Sequence, residues 1–180
     1  ACASRDGLRR AMEEETVLEG VAQLCDGAHN LLVSVGPFTG FLPREEAALG
    51  IAEGTTREIA ILSRVGKPVC FQITALEESE GVLRPRLSRR RAQQAALDAM
   101  LAGLHPGCIL PAVVTHLESF GAFVDIGCGV PSLIGIENIS VSRIPHPDQR
   151  FRVGQAIFAV VQELDPKLGR VYLTLSLIHI

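Results

Sequence analysis

Apolar and polar positions alternate with a period of two along much of the chain, which predicts short β-strands separated by turn residues. In the second half, "CILPAVVTHLE" (108–118) is rich in β-branched and apolar residues and "AFVDI" (122–126) alternates. Gly127, Cys128 and Gly129 then supply a tight reversal into "VPSLIGI" (130–136). A looser stretch (137–151) holds two prolines and no strand period, and "QAIFAVVQEL" (155–164) and "RVYLTL" (170–175) add two strands around the turn "DPKLG". The first half follows the same order: "TVLEGVAQL", "LLVSV", "TGFLP", an insert over 44–64, "PVCFQITAL" and "VLRPRLS". Pro85 weakens the last of these, since proline cannot donate to a strand ladder.

The period changes in two places. "RRRAQQAALDAMLAGL" (89–104) is an Ala/Leu/Gln-rich helix former that stops at Gly103 ahead of Pro106. A shorter helix is predicted from Asp6 to Glu14, with an acidic cluster at the end where the helix dipole disfavours it.

The two strand-rich halves are related. "VLEGVAQL" (17–24) resembles "ILPAVVTH" (109–116), and residues 65–88 resemble residues 153–176, matching Gly36 with Gly127 and Leu87 with Leu175. Five strands with an irregular insert between the third and fourth is the pattern of a small Greek-key barrel of the OB type, which closes its sheet edges on itself. The expected architecture is mainly β: two tandem five-stranded OB-fold barrels joined by an α-helical connector. The expected divisions are an N-terminal helical segment (1–15), a first barrel (16–87), the connector (88–104) and a second barrel (105–180).

Composition narrows the function classes. The 180 residues are 47% hydrophobic and 21% charged, with net charge −3. That balance disfavours nucleic-acid binding by bulk electrostatics, so any such affinity must be local. The basic charge gathers in "RPRLSRRR" (84–91), which holds five of the seventeen Lys and Arg residues. It reads either as a phosphate track or as a solvated helix start, and arginines in a first helical turn oppose the dipole and need another reason to be there. No apolar run reaches the roughly 20 residues needed to cross a bilayer, and a cytoplasmic protein without a membrane partner is expected. The five cysteines are scattered without a C-x-x-C pair and the five histidines lack ligand spacing, so no metal site and no disulfide framework is expected.

Enzyme signatures fail one by one. "SRVGKPV" has a Gly-Lys without the glycine and Ser/Thr of a phosphate loop, and Pro68 would break the helix such a loop needs. "GIAEGTTRE" is better explained as a helix cap than as an anion site. No histidine and acid pair can be nominated to activate a cysteine. A non-enzyme with no cofactor and no small-molecule substrate is expected.

Aromatics are scarce, with seven Phe, one Tyr and no Trp, yet "ESFGAFVDIG" (118–127) places Phe120 and Phe123 around a Gly-Ala pair. Three residues apart, they face opposite sides of a regular strand, unless Gly121 supplies a bulge or a positive-φ residue that resets the parity. From the residues alone, Phe123 fits either a barrel core or an exposed stacking surface.

The ordered run "PGCILPAVVTHLESFGAFVDIG", "GVPSLIGIENIS", "RFRVGQAIFAVVQELD" and "GRVYLTLS" resembles an S1 domain, the RNA-binding repeat of the ribosomal protein S1 family. The first copy is similar to that family's degenerate repeats, with "GFLP" (40–43) where RNA-binding copies carry a histidine-containing strand. The resemblance implies that Phe120 and Phe123 share one face on which bases stack, and that Asp165, Arg170 and Gly135 fall on the same RNA face. Arg170 would hold a phosphate or stack through its guanidinium, with Lys167 and Arg143 as further phosphate contacts. The basic connector residues Arg86, Arg89, Arg90 and Arg91 would form an electrostatic track. Gly135 departs from the family, which usually has histidine there. The first copy has "AHNLLVSV" in place of the aromatics and Pro43 at the histidine position, leaving only His29 to stack. The resemblance further implies single-stranded RNA, such as mRNA, and the 30S ribosomal subunit as partners. A protein-interaction scaffold with little RNA affinity, and an accessory domain of an RNA-processing enzyme, remain alternatives. The chain opens without methionine, so it is expected to be a piece of a longer protein, and its last five residues, "SLIHI", fit no motif.

Overall fold

The computed structural model describes residues 3–175. Residues 176–180, the end of the expected second barrel, lie outside the described residues, as does Cys2. The chain divides into two compact units, between Ala95 and Ala96.

In the first unit, helix α1 (Arg5–Glu13) is capped by Ser4, whose hydroxyl oxygen accepts the Gly7 N–H at 3.1 Å. Strands β1 (Leu18–Cys25), β2 (Leu31–Val35) and β3 (Phe38–Leu42) follow, then an insert carrying the short helix α2 (Ile59–Leu62), then β4 (Pro68–Ser79) and β5 (Val82–Ser88). They close into a barrel in the order β1-β2-β3-β5-β4. Leu31, Val33, Leu42, Phe71 and Leu87 fill it, with Leu8 of α1 in the same core. Pro85 stands within β5 after all. Its strand pairs with β4 along that stretch and meets β3 only at Arg86, so the missing N–H faces no partner strand.

Helix α3 (Arg89–Gly103) starts in the first unit and ends in the second. The second unit contains β6 (Ile109–Glu118), β7 (Gly121–Asp125), β8 (Pro131–Gly135), β9 (Ala156–Asp165) and β10 (Arg170–Thr174). These close in the order β6-β7-β8-β10-β9, the cyclic order of the first barrel, and in each barrel only the third and fifth strands run parallel. Two tandem OB-type barrels are therefore present. Val114, Ala122, Val124, Ile134 and Leu173 are almost wholly buried inside the second, with Leu97 of α3 in its core. The Val, Ile and Leu side chains among these each contribute about 1.5–3 kcal/mol.

The strand register corrects one detail of the repeat. Leu87 pairs with Ile73 immediately past a bulge, and the residue in that place in the second barrel is Leu173, which pairs with Val161, rather than Leu175. Sequence overlay missed this because the β4–β5 hairpin continues further past the bulge, to Ser79 and Val82, than the β9–β10 hairpin does.

The turn from β7 to β8 is left-handed at three successive residues, with φ of 127°, 52° and 75° at Gly127, Cys128 and Gly129. The Asp125 carboxylate accepts the N–H groups of Gly127 at 2.8 Å and Gly129 at 3.1 Å, which pays part of the cost of that conformation.

Candidate nucleic-acid interface

Along β7 the burial pattern fixes which way each ring points. Ala122 and Val124 are fully buried, so Phe123 between them faces outward and is half-buried, outside the barrel core. Phe120 precedes the strand in the β6–β7 turn and is 54% exposed. The two rings meet edge to face, with centroids 6.0 Å apart and planes at 90°.

The expected role of Gly121 is corrected. It is neither a bulge nor a positive-φ residue. Because Phe120 lies in the turn, no parity reset is needed within β7. Glycine is required there for another reason: a Cβ at position 121 would lie 2.4 Å from the Ile134 carbonyl oxygen on β8. The bulge is on the partner strand, between Val114 and His116 of β6, where Thr115 is the extra residue and donates to the Phe123 carbonyl at 3.2 Å. It turns His116 outward, opposite Phe123, and the two rings lie nearly parallel, 29° between planes and 6.2 Å between centroids. His116 Nε2 is 2.6 Å from Glu118 Oε1. Nothing in the sequence alone assigns His116 to this surface. The tandem exposed positions Thr115 and His116 are the one trace of the bulge in the alternation.

Register continues this row across the sheet: Phe123 opposes Leu133 on β8, and Leu133 opposes Tyr172 on β10. A second row, Glu118, Gly121 and Gly135, runs beside it. Over Gly135, where a side chain would project, lies the Glu137 carboxylate, which a Cβ would meet at 2.5 Å.

Arg170 and Asp165 face each other at the head of the β9–β10 hairpin. The Asp165 carboxylate accepts the N–H groups of Lys167 and Leu168, both at 3.1 Å, and so shapes the turn that carries Lys167. Arg170 and Lys167 are exposed, and Arg170 is two residues along β10 from Tyr172. Arg143 is exposed on the β8–β9 loop, in no register with the rings.

The arginines of the basic connector are partly engaged by the first barrel. Arg89 is 6% exposed, and its guanidinium donates to the Ala47 carbonyl at 3.2 Å. Arg90 reaches Glu46 at 3.7 Å and Glu53 at 3.5 Å. Arg86 belongs to β5, lies over the Phe41 ring at 5.9 Å and pairs with Glu77 at 3.6 Å. Arg91 is exposed, and the Arg86 and Arg90 side chains are still 41% and 42% exposed, so only Arg89 of these four is withdrawn. Carboxylates and a carbonyl of the first barrel therefore supply the reason why arginines occupy that helix start. Ser88 completes it, accepting the Arg91 N–H at 3.0 Å and donating to Glu46.

The first barrel repeats the bulge, between Ala22 and Leu24, but puts Leu24 opposite Leu32 where the second puts His116 opposite Phe123. His29 is not offered for stacking, because its Nδ1 is 2.8 Å from Glu58 Oε2, while Arg44 holds the other oxygen. Those Arg44 hydrogen bonds, and after them those of His29, hold the Glu58 carboxyl below its usual range, against a desolvation that pushes it up.

Among the described residues no three metal-ligating side chains come together, and no helix is long and apolar enough to cross a membrane.

Residues 104–176 match the family model described as "S1 RNA binding domain". The chain is 28% identical over 172 residues to the small ribosomal subunit protein bS1 of Neisseria meningitidis, covering 92% of this chain and 28% of that protein. It is 31% identical over 112 residues to bS1 of Streptococcus pneumoniae, covering 62% of this chain and 28% of that one. With the protein tex of Bordetella pertussis it shares 37% identity over 114 residues, 63% of this chain and 14% of that protein. The chain thus spans well under a third of the length of these relatives. A solved a/eIF2alpha–aDim2p–rRNA complex from Pyrococcus horikoshii matches 40% of this chain and 44% of that one at 24% identity and a TM-score of 0.38, but the fold assignment rests on strand order and not on that likeness. By its family match and its barrel topology, the second barrel is an S1-type RNA-binding domain of OB fold, and the chain as a whole is similar to the bS1 proteins.

Proposed function

We propose that the second barrel holds single-stranded RNA on the outer face of β6, β7, β8 and β10, as part of a cytoplasmic, mRNA-handling protein of the small ribosomal subunit. Bases stack on Phe123 and Phe120, and Arg170, Lys167 and Arg143 take phosphates. The observation that carries this reading is the pair of rings held edge to face on an exposed strand surface rather than in the core. Stacking of this kind contributes about 1–3 kcal/mol per base with little sequence preference, which suits a protein whose net charge of −3 offers no bulk attraction. The family match over 104–176, and relatives whose names place them in the small ribosomal subunit, support it. Fluorescence anisotropy with a short unstructured RNA, at two salt concentrations, tests it. The Phe120→Ala/Phe123→Ala double variant is expected to bind at least about tenfold more weakly than wild type, and equal affinities remove the stacking claim.

A specific observation favours a different role for the first barrel. Its counterpart of the ring row is aliphatic, with Leu24 54% exposed, and its Arg86 and Arg90 are engaged with carboxylates. We assign that barrel to protein contact within the ribosome or a neighbouring repeat. Undetectable RNA binding at low salt together with retained co-sedimentation on ribosomes would extend the scaffold role to the whole chain.

A further inference from the structure

The fold itself does not call for a ring at position 116. Both barrels carry the same bulge at the same place, and the first satisfies it with Leu24. The second uses an imidazole whose side chain is 61% exposed, lying nearly parallel to Phe123. The core residue of this stretch is Val114, on the opposite face, so His116 contributes nothing to core packing. Its ring is held in place on one side by the Glu118 carboxylate and on the other by Phe123. On the far side of β7, in contrast, the row beside Phe123 ends in the bare backbone of Gly121 and Gly135. In the Phe123 row itself, the aliphatic Leu133 on β8 separates Phe123 from Tyr172 on β10, so the ring directly beside Phe123 is His116 on β6.

We infer that His116 is a third base-stacking residue, extending the Phe120–Phe123 surface across β6 so that it takes a second unpaired nucleobase beside the one on Phe123. This rests on the RNA-binding reading of the second barrel. An imidazole has the flat π face that stacking on unpaired bases uses. The Glu118 contact and the nearly parallel Phe123 ring reduce the ordering cost of presenting that face.

The test is anisotropy of a fluorescein-labelled oligouridylate of about ten nucleotides titrated with the chain and with His116→Ala, His116→Phe and His116→Lys, alongside Phe120→Ala/Phe123→Ala. Circular dichroism confirms that each variant is folded. His116→Ala is expected to bind at least about fivefold more weakly and His116→Phe within about twofold of wild type. His116→Lys, which supplies a cation but no ring, should be as weak as His116→Ala. Wild-type affinity for His116→Ala, while the double phenylalanine variant is weakened, overturns the assignment of His116 and leaves the RNA reading standing. Rescue by lysine but not by phenylalanine also overturns it, because charge rather than stacking is then at work. If the double variant also binds like wild type, the RNA platform itself falls.

Discussion

Gly121 stands directly opposite Gly135 where β7 meets β8, yet the two positions are bare for different reasons. A Cβ at 121 would press on the Ile134 carbonyl oxygen at 2.4 Å, a backbone atom that moves only with its strand. One at 135 would meet the far end of the flexible Glu137 side chain. Gly121→Ala should therefore lower stability by about 1–3 kcal/mol, and Gly135→Ala by much less. Urea denaturation of the two variants checks this, and equal losses would show that strand contact is not what keeps position 121 bare.

The pairing of the arginines predicts which of them RNA feels. Arg170 faces no carboxylate in an ion pair among the described residues, whereas Arg90 has Glu46 and Glu53. For single strands, each phosphate contact adds about 0.7 to the slope of log affinity against log salt. Arg170→Ala is expected to weaken binding and flatten that slope by about this amount. Arg90→Ala should leave it unchanged. A salt titration of both variants decides the matter.

The Glu58 hub of the first barrel should make its stability depend on acid. Its carboxyl is held low in the folded chain, chiefly by Arg44, so the unfolded chain takes up the proton at a higher pH. The stabilisation is fully present above the ordinary carboxylate value of about 4.3 and is lost as pH falls through the folded value. Glu58→Gln should lower the melting temperature near neutral pH, and the difference from wild type should shrink below pH of about 4. A gap that stays constant down to acid pH would show that the ion pairs contribute nothing.

Much of this architecture is legible in the sequence, because two-residue alternation, turn glycines and an internal repeat are properties of short segments. The strand order follows once each strand is placed, whereas the face of Phe123 stays open in the sequence and is settled only by the burial of Ala122 and Val124 on either side of it. What escapes is what depends on single-residue register. Thr115 is the bulged residue of β6, but a polar residue beside another polar residue carries no mark of which one is inserted, so nothing in the sequence singles out His116, and Gly121 is the more visible candidate for a bulge or a positive φ. Arg89 illustrates a second limit. Arginine after "RLS" looks solvated, yet the Ala47 carbonyl, far away in the chain, draws it inward. The Leu87 and Leu173 correspondence was hidden by unequal hairpin lengths, which a gapless overlay cannot see.

The most direct measurement is the NMR spectrum of the phenylalanine ring protons, recorded as a short unstructured RNA is added. A base lying on a ring shifts its protons upfield, so the resonances of Phe120 and Phe123 should move together while those of the buried Phe71 and Phe151 stay in place. Binding that leaves the Phe120 and Phe123 signals where they were would place the RNA elsewhere and contradict the account.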